Sequence, residues 1–314
     1  MRIKPLLQGI KTFIPGWRYS VGTGGTSSAR YCYSVWLRHL AMAKRNRLDP
    51  YPRVIAEFGP GDSLGIGLAG LISGCEKYYA VDVVEHARPE SNLKIFDEIV
   101  ALFRDRTPVP GDEEWPQVEP KLDNYEFPAD LFDDRRLRQV LDDGRLREIR
   151  LSILNMGGGH SAIQYKAPWY EEGVVKGESV DMIYSQAVLE HVDDLKSAYR
   201  SMYLWLKPAG YMSHTIDFKC HETADEWNGH WMFSDFMWKL IKGRRPYLLN
   251  REPHSTHLAL MEAAGFKIVC DQAKTSESKV GKNQLARRFR SISNADLVTS
   301  ETFIQGVKAS HVAL

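Results

Sequence analysis

The run Arg53-Val54-Ile55-Ala56-Glu57-Phe58-Gly59-Pro60-Gly61-Asp62-Ser63-Leu64-Gly65 limits the fold of this chain more than any other stretch. Its first six residues have the length and apolar character of a buried strand, the Gly/Pro cluster breaks it, and Leu64 to Ile72 resumes with helical spacing. A strand that passes through a glycine turn into a helix is the first half of a βαβ unit. Lys77 to Val83 then forms a second short strand containing an acid, and two strands bracketing one helix imply parallel pairing. A parallel sheet buries both faces, and 314 residues with 43% hydrophobic content are enough to cover it.

The remaining punctuation extends the pattern. A Gly/Ser/Thr-rich loop at Val21 to Ser28 precedes a helix over Tyr31 to Lys44. From Ala87 to about Gly159 the periodicity weakens under Pro108, Pro110, Pro116, Pro120 and Pro128, with charged helical pieces such as Asp130 to Leu146. This stretch reads as a lid inserted over the ligand edge of the sheet, with local helices of its own. Ile163 to Ala167 is a third candidate strand. Ser179 to Ser185 is a strand, the following helix runs to Leu206 and stops at Lys207-Pro208-Ala209-Gly210, and Tyr211 to Asp217 is the next strand. A helix over Ser255 to Ala264, capped by Gly265, leads to strands at Phe266 to Cys270 and Thr302 to Val307. The expected organisation is a helical cap at 1–50 and a main domain at 51–314, with an insertion at 87–159 and an acceptor-side segment at 218–254.

Charge and cysteine content narrow the partners. Forty-one Lys and Arg against 40 Asp and Glu give a formal net charge of +1, so no global basic field points to nucleic acid. Lys279, Lys282, Arg287, Arg288 and Arg290 form a local basic cluster poor in aromatics; it reads as a solvated face, with a phosphate or RNA contact as the alternative. Cys32, Cys75, Cys220 and Cys270 lack C-x-x-C spacing and suit reduced thiols in a cytoplasmic protein. The N-terminal MRIKPLLQGIKTFIPGWRYS is interrupted by Lys11, Pro15 and Arg18 and holds neither a signal-peptide core nor a membrane span. Ile3 to Phe13 is expected to pack as an ordinary helix, an interfacial amphipathic helix being the alternative.

The glycine turn is a ligand site because no Cβ stands between a ligand and the backbone. The dinucleotide pattern would place a third glycine at position 64, where the chain has Leu64. Glu57 ahead of the turn would repel a pyrophosphate and suits an ammonium or sulfonium. Asp82, about twenty residues on, can accept two hydrogen bonds from a ribose diol. Together the two acids favour adenosylmethionine over NAD.

VIAEFGPGDSLG, YYAVDVVEH and SVDMIYSQAVLEHVDDLKSAYRSMYLWLKPAGYMSHTIDF resemble the successive motifs of class I S-adenosylmethionine-dependent methyltransferases. The resemblance covers Arg53 to Val83 and Ser179 to Asp217, and loosely the strands GFKIV and FIQGVK. It implies a doubly wound α/β fold, with a mostly parallel seven-stranded sheet and helices on both faces. It also implies that Glu57, Gly59 and Gly61 line the methionine moiety, that Asp82 holds the ribose, and that Ser185 and Gln186 border the sulfonium. The chain departs from the family at the third strand, where Lys166-Ala167-Pro168-Trp169 replaces an acid and a small residue. Trp169 is a candidate for stacking on adenine and equally for the core.

The acceptor side is read from the residues themselves. Ligands of open α/β sheets bind at the carboxyl ends of the strands, which directs attention to Ser213 to His221. His221 is the candidate base and Asp217 its orienter; His230 and His254 are further candidates. No metal is expected, because the spacing matches no dedicated metal motif. Arg30 or Tyr31, in a segment from Gly22 to Tyr33 that could fold over the cofactor, can reach the cofactor carboxylate. Ser185-Gln186-Ala187-Val188 lacks the Asn/Asp-Pro-Pro-aromatic run used on planar nitrogens. Trp227, Trp231, Phe233, Phe236, Trp238 and Tyr247, with Arg244, Arg245 and Arg251, suit a sugar ring or an anionic acceptor, or else helix packing. The expected activity is methyl transfer to an oxygen of a small polar acceptor, such as a saccharide hydroxyl. The alternatives are an NAD-linked oxidoreductase, an RNA methyltransferase and a non-catalytic adenosylmethionine-binding protein.

Overall fold

In the computed structural model, which describes residues 3–16, 26–245 and 248–309, the sheet grows outward from the strand before the glycine turn. That strand, β1 (Val54–Phe58), pairs in parallel with β2 (Lys77–Val81) on one side and β4 (Val180–Gln186) on the other. β3 (Ile163–Lys166) extends the sheet beyond β2, and β5 (Leu206–Asp217) lies parallel to β4. β6 (Phe266–Thr275) and β7 (Thr299–Lys308) complete the order β3-β2-β1-β4-β5-β7-β6, with β7 antiparallel to both of its neighbours. The mostly parallel, seven-stranded sheet expected from the sequence is present, with β7 its reversed strand.

The helices are α1 (Ile3–Lys11), α2 (Ala29–Arg45), α3 (Gly65–Ile72), α4 (Pro89–Arg104), α5 (Asp134–Val140), α6 (Asp143–Leu154), α7 (Leu195–Trp205), α8 (Asp235–Lys242), α9 (His254–Ala264) and α10 (Asn294–Val298). Side chains alternate along each strand, so β1 sends Ile55 to one core and Ala56 and Phe58 to the other. The first core is closed by α2, α3, α4 and α6 through residues such as Trp36, Leu68, Ile99 and Ile149. The second is closed by α7 and α9, where Tyr199, Met202 and Met261 meet Ile183, Met212 and Ile304. Covering both faces explains why the central strands read as continuous apolar runs.

Two boundaries differ from the sequence reading. The helix after β4 ends at Trp205, and Leu206 to Gly210 already belong to β5. The ladder with β4 shifts register between Val180 and Met182, and Ala209 adopts a φ of +64°, so the irregular start of the strand accommodates Pro208. Asp130 to Leu146 divides into α5 and α6, because Asp133 and Asp142 each cap a new helix by accepting from the backbone of Arg136 and Arg145.

The stretch after β2 has two parts. α4 and α6 pack into the first core, while residues 105–133 run across the carboxyl ends of β4 and β5. Buried Arg38 of α2 holds this crossing segment by donating to the carbonyls of Pro120 at 2.7 Å, Val118 at 3.1 Å and Pro110 at 3.3 Å. At its far side the Glu119 carbonyl accepts from Thr215 Oγ1 at 3.2 Å and Gln186 Nε2 at 3.4 Å, and its carboxylate pairs with Lys274 at 2.6 Å.

Candidate active site

Gly59 and Gly61 both take the left-handed conformation, with φ of +72° and +71°. The Gly59 amide donates to the carbonyl of Val81 at 2.8 Å, tying the turn to the end of β2. A Cβ on Gly59 would fall 2.4 Å from Val188 Cγ1, so this position needs glycine for packing as well as for backbone conformation. Asp82 accepts from the Val83 amide at 2.7 Å, and burial raises its carboxyl above the ordinary range against hydrogen bonds from the backbone of Val83, Gly61 and Val84. Thr26 closes the turn from outside, accepting from the Ser63 amide at 2.9 Å and donating to the Pro60 carbonyl at 3.0 Å.

The alternation of the strands places several candidate residues away from the surface of the turn. The Glu57 carboxylate faces the first core, accepting from the hydroxyls of Tyr78 and, at 3.1 Å, Tyr184; burial pushes it up to about 7. Ser185 is fully buried, its hydroxyl 2.8 Å from His214 Nδ1, which leaves only its main chain at the strand end. Trp169 packs 5.0 Å from Phe58 in the second core, while its amide donates to the Asp82 carbonyl at 2.8 Å. Gln186 remains at the carboxyl end of β4, where its Nε2 donates to the Glu119 carbonyl at 3.4 Å. Arg30 is held by both oxygens of Glu114 in the crossing segment, and Tyr31 meets Trp115 edge to face at 5.2 Å. Gly22 to Gly25 and Tyr247 lie outside the described residues.

At the end of β5, His221 Nε2 stands 3.3 Å from Asp217 Oδ2, and the histidine ring keeps 33% of its surface in solvent. Burial would raise the Asp217 carboxyl, but His221 and the Lys219 ammonium outweigh it and hold it down at about 2. Lys219 bridges Asp217 at 3.0 Å and Glu301 at 3.2 Å, and Glu301 lies opposite Asp217 in the β5–β7 ladder. Two neighbours not singled out in the sequence reading complete the cluster: Glu190 and His191, in the 3-10 turn that follows β4. They sit inside the quoted VLEHVDD motif, and only the return of the chain after β5 shows that they face His221. Glu190 is buried, neither carboxyl oxygen has a hydrogen-bond partner among the described residues, and burial together with the Asp217 charge holds it well above the usual carboxylate range. The His191 ring lies 5.1 Å from that of His221.

The other histidines and aromatics have different surroundings. His230 is buried and pushed down to about 3 by burial and by Arg251, so it is neutral in the site wall. His254 pairs with Asp271 at 2.9 Å. Trp231, Phe233 and Trp238 are packed in small cores, and buried Arg251 donates to the Phe233 carbonyl and to Asp235, both at 2.7 Å. Phe236 alone of that described group is widely exposed, at 72%.

A doubly wound sheet with a glycine turn after β1 and a buried acid after β2 is the architecture that the motif resemblance implied. The chain belongs to the methyltransferase-domain family, whose model matches residues 33–271. Similar solved structures include a putative sarcosine dimethylglycine methyltransferase from Galdieria sulphuraria, at 11% identity over 89% of this chain and 86% of that one, with a TM-score of 0.45. Phosphoethanolamine N-methyltransferase 2 from Haemonchus contortus, in complex with S-adenosyl-L-methionine, matches at 14% identity over 97% of this chain and 57% of that one, with a TM-score of 0.44. An S-adenosylmethionine-dependent methyltransferase from Mesorhizobium loti matches at 12% identity over 82% and 90% of the two chains, with a TM-score of 0.41. A comparison with curated proteins gives no match. S-adenosylmethionine is the cofactor of this methyltransferase. The residues present fit it: Gly59 and Gly61 hold the turn in the left-handed conformation, buried Asp82 stands just past the end of β2, and Gln186 closes the end of β4. Among the described residues no helix is long and apolar enough to cross a membrane.

Proposed function

We propose that the chain methylates a hydroxyl oxygen of a small polar acceptor, a saccharide or related metabolite, in the cytoplasm. The observation that carries this reading is the partly exposed His221 ring hydrogen-bonded to an Asp217 that stays ionised. A hydroxyl nucleophile must lose a proton as it is methylated, and that pair is arranged to take one.

When bound, S-adenosylmethionine supplies a methyl group already activated by its sulfonium. The chain then has to hold, align and keep dry. Backbone at Gly59 and Gly61 would hold the methionine moiety, with Glu57 fixing the turn from behind. Asp82 would accept from the ribose hydroxyls, and Trp169 forms the wall beside it. Gln186 and the main chain of Ser185 would border the sulfonium, and Arg30 would exchange Glu114 for the cofactor carboxylate. Asp217 accepts Nε2–H of His221, which leaves Nδ1 as the proton acceptor for the substrate hydroxyl. Glu190, whose carboxyl is raised by burial, would in its protonated form supply a donor close by, so a vicinal diol would meet one acceptor and one donor. The free, buried cysteines suit a reducing compartment.

Product analysis by mass spectrometry, with panels of saccharides, amines and RNA, tests the reading. O-methylated saccharide is the expected product; methylation of amines or RNA alone overturns it.

A second reading of the same cluster is favoured by one observation: ligand atoms of Glu190, His191 and His221 lie within 4.8 Å of one another. A divalent cation there would polarise the acceptor oxygen, with His221 a ligand instead of a base. Stoichiometric metal in the purified protein, with activity lost to a chelator and restored by metal, would select this reading over the first.

A further inference from the structure

We propose that α1 is a membrane-docking helix, which seats this side of the protein on an anionic phospholipid bilayer. The inference concerns a surface outside the methyl-transfer site and is independent of how acceptor and base are assigned.

α1 packs against α8 through small residues. Pro5, Gly9 and Thr12 are the buried positions of this segment. A Cβ on Gly9 would lie 2.0 Å from the Leu240 carbonyl oxygen, and one on Gly243 would lie 2.3 Å from the Gly9 carbonyl oxygen. Thr12 Oγ1 donates to the Gly9 carbonyl at 2.6 Å and accepts from the Arg244 amide at 2.8 Å. With that face committed, the apolar one points outward: Ile3, Leu7 and Ile10 are 66%, 50% and 41% exposed, and Phe13 and Ile14 continue the patch at 46% and 53%. At 3.6 residues per turn, Ile3, Leu7 and Ile10 fall within about 60° of the helix circumference. A helix of a soluble domain turns such a stripe toward the core; here the stripe is turned away from it.

Charge selects the occupant. Lys4 and Lys11 follow one another along one border of the stripe, and the Arg244 guanidinium lies 5.7 Å from the centre of the Phe13 ring. The first 48 residues hold nine of the 41 lysines and arginines and none of the 40 acidic residues, so the rest of the chain carries an excess of acid. A second copy docked on this face would bring the same lysines together. An anionic bilayer accepts the apolar stripe and the lysines at once, and repels the acidic remainder. α8 belongs to the segment that follows β5, so docking would hold the acceptor side of the molecule toward the lipid headgroups.

Co-sedimentation of the full chain with vesicles of phosphatidylcholine, and of equimolar phosphatidylcholine and phosphatidylglycerol, tests the proposal. The chain is expected to sediment with the anionic vesicles and to stay in solution with the neutral ones. Leu7→Glu with Ile10→Glu should abolish binding, and Lys4→Gln with Lys11→Gln should weaken it by roughly tenfold or more. Unchanged adenosylmethionine affinity by calorimetry shows that each variant is folded. The proposal is overturned if the wild type ignores anionic vesicles or if Leu7→Glu/Ile10→Glu still binds them. It is equally overturned if the wild type forms a dimer that this variant dissolves, with no vesicle binding, which would assign the face to a second copy.

Discussion

The carboxylate of Glu57 and the hydroxyl of Tyr184 meet at 3.1 Å behind the glycine turn, from neighbouring strands whose ladder sets these two residues opposite one another. Glu57 is 2% exposed, and burial raises it from 4.5 to about 7. A raised acid keeps a proton in the folded state that the unfolded chain gives up. Its contribution to stability is therefore greatest below about pH 4.5, falls as pH climbs to about 7, and is level above that. Urea titrations across this window should show a decline of about 3 kcal/mol at most from this group, using ~1.4 kcal/mol per pKa unit. Glu57→Gln should flatten that part of the profile; an unchanged slope would place the titration elsewhere.

Gly59→Ala should fail twice, through its positive φ and through the approach of Val188. A loss of about 1–3 kcal/mol in stability is expected, with adenosylmethionine affinity down at least tenfold. Adding Val188→Ala should restore part of the stability, because it removes the clash and leaves the backbone strain. Thermal melts and calorimetry on the three variants separate the two causes.

His221→Ala and Asp217→Asn should each lower kcat by about 10²–10⁴-fold while leaving the affinity for adenosylmethionine unchanged. Combining them should add little to the larger single effect, since the two residues act as one unit. Full turnover by both variants at saturating acceptor would remove the pair from the mechanism.

Asp82→Asn should produce the opposite division. Adenosylmethionine binding should weaken about 10–100-fold, as expected when hydrogen bonds to a charged acceptor are lost, with little effect on the acceptor KM. Equilibrium binding of adenosylhomocysteine gives a readout independent of turnover.

Lys274→Met cuts the ion pair between Lys274 and Glu119 that pins the crossing segment to β6. Release of adenosylhomocysteine should quicken by several-fold, while the exposure of this lysine limits the stability change to about 1 kcal/mol. Stopped-flow displacement measures the first effect and urea unfolding the second.

Much of this arrangement is readable from local rules. The strand, glycine turn and helix from Val54 to Ile72, and the acid at Asp82, follow from apolar run length and turn chemistry, because neighbouring residues determine them. The same rules put Glu57 and Ser185 near their strand ends but not the directions of their side chains: Glu57 shares a face with Ile55 and turns into the first core, and Ser185 meets His214 only across the β4–β5 ladder. The arrangement of Glu190, His191 and His221 was beyond such rules. Those residues lie on two different returns from the sheet and meet only when β4 and β5 are in register. The path of Glu119 over Gln186 and Thr215 depends likewise on Arg38, a charged residue on the buried face of α2 whose partners are carbonyls about 80 positions away. The outward apolar face of α1 depends on Gly9 approaching a helix more than 200 residues later.

The placement of β7 between β5 and β6 has a consequence for assembly. β6 lies at the end of the sheet and hydrogen-bonds to β7 alone, yet it precedes β7 in the chain. During synthesis β6 therefore emerges before its only partner exists and must wait as an unpaired ribbon, guarded by Lys267, Asp271 and Lys274, until β7 slides in beside β5. The same late insertion delivers Glu301 to Lys219 and Lys274. The carboxylate–lysine network around Asp217 is thus complete only once the last strand of the sheet in chain order has taken its place.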